Sequence, residues 1–253
     1  MTNPLTPAAH LHHIAEQAAR LVEIAMTATP ADLARSVPTC PGWTLRDLLA
    51  HLDDGHRWAR GLFDAGSPGR GTADAAGTAS FAAGTHRFLA ALRAADPSTP
   101  AAGHDPADPT LRFWLRFEAH EHAIHRLDAE LALGREPGPF DRGLAADGIG
   151  LAVDVELPRR LRRGRVEADR LRPVRLTAAD EDAAGSGSAA GAGDAWLIAA
   201  SPVAPDAADA RVTGTADALY RLVWGRRRLA DPAFVITGDR AAAARTLGAG
   251  LTP

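Results

Sequence analysis

Cysteine is nearly absent. The 253-residue chain has one, Cys40, so no internal disulfide can staple the fold, and that usage fits a reducing cytoplasm. Neither sign of charge is in excess: 28 Lys and Arg stand against 31 Asp and Glu, for a formal net charge of −3 and a pI of about 6.4. Such a balance gives no global pull toward nucleic acid or an anionic membrane and leaves small molecules as the expected partners. There is also no run of about 18 apolar residues, which removes the transmembrane-helix class. The opening "MTNPLTPAAHLHHIAEQAARL" lacks the basic-then-apolar order of a signal peptide. The expectation is a soluble, cytoplasmic, monomeric protein. What the chain does hold is 46% apolar residues, enough over this length to bury the core of one large domain or two ordinary ones.

Up to about residue 145 the apolar spacing is helical. Leu11, Ile14, Ala18, Leu21, Ile24 and Ala25 recur at three- and four-residue steps and lay one stripe along a first helix bounded by Pro30. Pro41-Gly42 then breaks the chain, and Thr44 with Asp47 forms a capping-box pattern ahead of Leu45, Leu48, Leu49 and Leu52, which starts a second helix. A Gly-, Ala- and Ser-rich stretch over 64–79 reads as a loop, "SFAAGTHRFLAALRAA" as a third helix and "STPAAGHDPADPT" as a further loop. A fourth helix runs from Leu111 to about Leu133, stopping at Gly134 with Pro137 beyond. A four-helix bundle is the cheapest way to bury four such stripes.

Beyond about residue 145 the pattern changes. "LAADGIGLAVDVELPRRLRR" is still compatible with a helix, but "VRLTA", "AWLIA", "ARVTG" and "FVITG" are short alternating or β-branched runs, and "TADALYRLVWGRR" reads as a helix between the last two. The low-complexity stretch over 178–195 is expected to be a hairpin loop. The fold class is therefore α+β overall: a bundle over 1–145 followed by a small α+β domain over 146–253.

The densest chemistry lies in "RFEAHEHAIHRLDAE", residues 116–130. On a helix, residues four apart share a face, so Glu121 and His125 can aim a carboxylate and an imidazole at one point, half of a metal site. Glu118 and His122 have the same spacing, but with Arg126 they fall on a neighbouring strip expected to meet water, while Phe113, Phe117, Ile124, Leu127 and Leu131 mark the buried side. A divalent ion needs a third protein ligand, which a facing helix can supply, and His51, beside the leucine stripe of the second helix, is the candidate. A His, Glu, His donor set suits zinc, is compatible with iron(II), nickel or manganese, and leaves a coordination position open. With ten histidines in the chain, a Glu-x-x-x-His pair on a solvated helix face also arises by chance, and at this level both readings stand.

"VPTCPGWTLRDLLAHLDDGHRWA" followed far downstream by "RFEAHEHAIHRLDAE" resembles the N-terminal domain of the mycothiol-dependent maleylpyruvate isomerase family, itself similar to the DinB-like four-helix bundles. "VTGTADALYRLVWGRR" and "FVITGD" resemble that family's smaller C-terminal α+β domain. The resemblance implies a zinc ion, or another divalent metal, held by His51, Glu121 and His125. It further implies mycothiol, a low-molecular-weight thiol, as co-substrate, and a small electrophile such as maleylpyruvate. The implied activity is that of an isomerase or an S-transferase using a metal-activated thiolate. The Trp-Gly-Arg motif puts Arg226 near the interdomain cleft as the catalytic cation for a substrate carboxylate or an enolate-like intermediate; the plain alternative is a solvent-facing arginine at a helix C-terminus. A metal-dependent hydrolase on the same bundle and a non-catalytic binding or regulatory module are the competing functions.

Among the remaining residues, Asp128 is placed to receive the second N–H of His125 or to anchor Arg126. Cys40 sits in a tight "CPGW" turn, which argues for structure over nucleophilic catalysis, with Trp43 plugging the bundle end. His56 and Trp58 are expected at the pocket mouth, and His10, His12 and His13 in solvent. The basic "PRRLRRGRVEADRLRPVR" is interleaved with Glu167 and Asp169 and lacks stacking aromatics, so it reads as a solvated surface or at most a wall attracting an anionic cofactor.

Overall fold

Threonine hydroxyls begin most of the helices. Thr6 caps α1 (Pro7–Thr27), Thr29 the one-turn α2 (Pro30–Leu33), Thr44 caps α3 (Leu45–Arg60), and Thr110 α5 (Leu111–Ala132). In each, the side-chain oxygen satisfies one of the backbone N–H groups that a helix start leaves unpaired. At α3 the box is complete, with Asp47 reaching back to the Thr44 backbone as Thr44 receives the Asp47 N–H. The structure, a computed structural model, describes residues 5–63, 78–101, 105, 107–179, 194–204 and 206–252. The two stretches read as loops over 64–79 and 178–195 lie for the most part outside the described residues, and the one over 98–110 lies partly so.

The chain divides into two compact units, 5–138 and 139–253. In the first, α1 packs against α5 and α4 (Thr78–Ala94), and α3 packs against the same two, so each long helix has two neighbours and the ring closes into a bundle. Ile14, Leu21, Leu45, Leu48, Phe88, Leu111, Ile124 and Leu127 are fully or almost fully buried between them. The α5 helix is buried on nearly every side, polar residues included, and stops at Gly134, whose φ of 70° is the left-handed conformation that terminates helices.

The second unit begins earlier than the change in composition near residue 145 suggests. Helix α6 (Arg142–Gly150) belongs with it, held by the Trp224 indole N–H, which donates to the Gly148 carbonyl at 3.1 Å. A π-helical turn, Leu151–Glu156, joins α6 to α7 (Leu157–Arg162). Pro158 stands at the start of α7 and has no N–H to give, so the regular ladder must yield just before it. The sheet runs β2-β1-β3-β4, with β1 Val174–Ala178, β2 Ala195–Ile198, β3 Ala210–Gly214 and β4 Val235–Gly238. β1 pairs antiparallel with β2 and parallel with β3, and β3 antiparallel with β4. All four strands fall on the runs expected. Alternation places Val174 and Leu176 of β1 and Ala210 and Val212 of β3 in the interior, under α8 (Ala216–Val223) and α9 (Arg240–Leu247). Among the described residues no helix is long and apolar enough to cross a membrane.

The cap at the start of α3 fixes where that helix begins and hence where its histidines point. Thr44→Ala is expected to lower stability by about 1 kcal/mol, read from the midpoint of urea unfolding; an unchanged midpoint would show that the box carries no load.

Candidate metal centre

His51 lies two turns into α3, and Glu121 and His125 one turn apart on α5. The Nε2 of His51 is 3.7 Å from Oε2 of Glu121, and the Nε2 of His125 is 3.4 Å from the same oxygen. One donor atom from each residue lies within 4.8 Å of the other two. These separations are too long for ordinary hydrogen bonds, which span about 2.7–3.2 Å. The His125–Glu121 separation is close to the roughly 3.3 Å edge of a tetrahedron built on zinc bonds of about 2.0–2.1 Å, and the His51–Glu121 separation is longer. The donor set could hold a divalent ion, and in its absence the same separations are those of ion pairs between the imidazoles and the Glu121 carboxylate.

The surroundings of the three differ. His125 is buried, and its Nδ1 meets Oδ2 of Asp128 at 3.0 Å. Asp128 has no exposure; its Oδ1 accepts from the Thr39 hydroxyl at 2.6 Å, and its Oδ2 also lies 3.6 Å from Cys40 Sγ. A buried carboxylate is costly unless donors surround it, and here they do. With Nδ1 carrying the proton toward Asp128, Nε2 of neutral His125 is left as a lone pair facing Glu121. Burial alone would push the His125 imidazole down, but the carboxylates of Asp128 and Glu121 outweigh it and raise it to about 9 in the metal-free protein. Burial alone would raise the Glu121 carboxyl, yet His125 and His51 hold it well below the usual range. His51 is the exposed member, its side chain 44% accessible. Trp43 lies beside it, the ring centroids 5.0 Å apart, and stacks on His125 at 6.4 Å.

The second Glu-x-x-x-His pair does not meet water, contrary to expectation. Glu118, His122 and Arg126 are all buried, because α5 is enclosed by its neighbours and its polar strip packs inward. Arg126 donates to Gln17 of α1 at 2.9 Å and to Glu130 at 2.6 Å. His122 Nδ1 bonds the Glu118 carbonyl at 2.7 Å, and a carbonyl only accepts, so Nδ1 carries the hydrogen and Nε2 is a bare acceptor. His56 must then donate through Nε2, 2.9 Å away. The two nitrogens of His122 face opposite partners, so this Glu, His, His set builds a hydrogen-bond chain and does not close around an ion. His56, expected at a pocket mouth, is 2% exposed and stacks on Phe88 at 4.5 Å. Burial pushes His122 down to about 4 and His56 well below its ordinary range, which keeps the pair neutral. His10 and His13 are likewise buried and not solvated, since α1 packs against both α5 and α4, while His12 is exposed as expected. Trp58 packs edge-on to Trp114 at 4.6 Å.

Cys40 and Trp43 do sit in a tight turn: Cys40 N–H bonds the Val37 carbonyl, Trp43 N–H the Cys40 carbonyl and Val37 N–H the Trp43 carbonyl. Gly42, at φ 85°, supplies the left-handed residue this turn requires. What the sequence did not disclose is that Thr39 and Cys40 reach Asp128; a contact spanning 89 positions leaves no local signal. Arg226 lies in the second unit just past α8, half-buried, its Nη1 donating to the Trp224 carbonyl at 2.7 Å. In the basic stretch Arg159 pairs with Glu156, Arg170 with Glu167, and Arg160 bonds the Gly250 carbonyl.

Residues 14–130, which hold all three candidate ligands, match the model of the mycothiol maleylpyruvate isomerase N-terminal domain. That segment belongs to this domain family. No curated protein matches the chain. Among solved structures, a mycothiol-dependent maleylpyruvate isomerase aligns with a TM-score of 0.60 at 13% identity over 94% of this chain and 97% of that one. A histidine-to-alanine mutant described by the same name aligns with a TM-score of 0.57 at 14% identity over 89% and 93%. At these identities the likeness establishes the shared α+β fold.

Burial, followed by the charge of Glu121, pushes the Glu118 carboxyl up to about 8 from an ordinary 4.5. The folded chain thus keeps a proton that the unfolded chain gives up, so this group's contribution is complete below about pH 4.5 and is lost as pH rises through about 8. Glu118→Gln is expected to remove that share of the fall in stability between pH 6.5 and 8, a window above the titration of His122. Urea unfolding of the metal-free protein at the two pH values measures it, and an unaltered slope would mean that Glu118 is ionised in the fold.

Proposed function

We propose that the chain is a metal-dependent enzyme that uses a low-molecular-weight thiol of the mycothiol type against a small electrophile such as maleylpyruvate. The observation that carries this reading is the convergence of one donor atom each from His51, Glu121 and His125 within 4.8 Å of one another, a group that could hold an ion. The match of residues 14–130 to the family's N-terminal domain supports it. His51 and His125 would hold the ion through neutral nitrogens and Glu121 through a carboxylate oxygen, a set that offsets one of the two positive charges of zinc and leaves room for a further donor. When bound, such an ion lowers the pKa of a thiol sulfur and makes it nucleophilic at neutral pH. Asp128 keeps His125 in the tautomer that presents Nε2, and the half-exposed His51 marks the side from which solvent and small molecules reach the centre. Arg226 belongs to this reading as the cation that receives a substrate carboxylate.

Elemental analysis is the direct test. The wild-type protein is expected to carry zinc or another divalent ion, and His51→Ala and Glu121→Ala to lose it while keeping their helical circular dichroism. Asp128→Asn is expected to weaken metal affinity about 10–100-fold. Mass spectrometry of the protein incubated with thiol and electrophile then sorts the chemistry. Turnover that needs thiol and leaves no adduct marks an isomerase, a retained thioether marks an S-transferase, and turnover without thiol marks a hydrolase. A wild-type protein that takes up no metal even after zinc supplementation overturns the proposal and leaves a binding module.

Arg226→Ala is expected to raise KM for a carboxylate-bearing electrophile more than for a neutral one, and Arg226→Lys to recover part of the difference. Equal KM changes for the two substrates would remove Arg226 from the site.

A further inference from the structure

The two imidazoles of the candidate centre are supported unequally. His125 has a carboxylate behind it, whereas His51 meets Glu121 through Nε2 and otherwise touches only rings, those of Trp43 and His125. Among the described residues no second carboxylate orients His51. Every group that stands behind the two histidines is nevertheless gathered by one short segment. Thr39 grips Oδ1 of Asp128 at 2.6 Å, Cys40 approaches Oδ2 at 3.6 Å, and the Trp43 ring lies 5.0 Å from that of His51 and 6.4 Å from that of His125. The segment is itself rigidly made. Three backbone hydrogen bonds close it on itself, a bridge joins Ser36 to Thr44, and the Leu45 N–H bonds the Arg35 carbonyl at 2.9 Å. It ends on the capping box of α3, the helix that bears His51.

We infer that the turn over residues 37–44 is a clamp for the metal centre, in which Thr39 positions His125 through Asp128 and Trp43 positions His51 through its indole face. This rests on the metal reading proposed above. The physical need is plain: an imidazole rotates freely about two torsions, and an ion bound through it pays for freezing them unless the protein has already done so. A hydroxyl-to-carboxylate bond fixes His125 by relay. For the exposed His51, where water competes for any polar partner, an apolar ring restricts rotation without offering a competing hydrogen bond. Cys40 is the weaker member, since a thiol is a poor donor and its sulfur is 3.6 Å from the carboxylate.

Zinc affinity measured by competition with a chromogenic chelator, together with the d–d absorption of the cobalt(II)-loaded protein, tests the clamp. Thr39→Val keeps the shape and removes the donor; it is expected to weaken zinc about 10–100-fold, with Thr39→Ser restoring it. Trp43→Leu keeps an apolar filler without the flat ring and is expected to cost about tenfold and to alter the cobalt spectrum, whereas Trp43→Phe keeps both. Cys40→Ala is expected to change affinity least of the three. The deciding measurement is the double-mutant comparison. Thr39→Val should cost nothing further in an Asp128→Asn background, and Trp43→Leu nothing further in a His51→Asp background, which keeps a ligand but has no imidazole to orient. Wild-type-like zinc binding by Thr39→Val and Trp43→Leu, or penalties that add in full in those backgrounds, overturns the clamp while the metal centre stands. Failure of the wild-type protein to bind metal removes the centre first. Should Trp43→Leu fail to fold, the Thr39 and Asp128 pair decides alone.

Discussion

A single buried carboxylate, Asp128, holds the site together. Removing it from water costs several kcal/mol unless donors replace the lost solvation, and it is met from two directions, by His125 on its own helix and by the turn ahead of α3. That one group ties α5 to the entry of α3, so the register in which His51 faces Glu121 and His125 depends on it. The leucines of α3 bury the interface but do not by themselves choose a register; apolar packing tolerates a shift that a convergent polar contact does not.

The chain offers two Glu-x-x-x-His pairs with identical spacing, and among the described residues only Glu121 with His125 falls in a group that could hold an ion. Hydrogen placement is the difference. At His125 the nitrogen nearer the backbone is taken up by a carboxylate and the outer one is aimed at Glu121 and toward His51. At His122 the corresponding nitrogen is spent on a carbonyl of its own helix and the outer one on His56, under the stacked ring of Phe88. In the first arrangement the metal-free protein holds a second proton on His125 between Nε2 and Glu121, and a cation bound there would take that proton's place. In the second, donor meets acceptor at both nitrogens of His122, so neither is turned toward a shared ion.

Much of this was legible in the residues. The Thr44–Asp47 capping box, Pro30 and the Gly134 stop set long helices within a few positions, and β-branched runs located all four strands. The reasoning that set Glu118 and His122 in water apart from Glu121 and His125 does not hold, since both are buried. Periodicity assumes that one face of a helix meets water, and α5 has almost no such face. The same assumption sent His10, His13 and His56 outward. Nor could spacing reveal that Thr39 reaches Asp128, or that Phe88 stacks on His56, because these contacts depend on how helices lie against one another and not on any local pattern. The short α2 and the alanine-rich α9 passed unnoticed for the opposite reason, having too little apolar contrast to show a period.

The distance between fold and function is visible in the comparisons. An α+β architecture survives at 13% identity because a core asks only for apolar volume in the right alternation. A metal centre asks for particular atoms at particular separations. The fold therefore carries the scaffold, while the chemistry proposed for it rests on three candidate side chains and the carboxylate behind one of them. In this chain the exposed candidate ligand, His51, is also the one with the less polar support, and the buried candidate, His125, the one with the more. Were an ion held there as proposed, such an asymmetry would anchor it from the interior and leave its solvent side free to exchange partners.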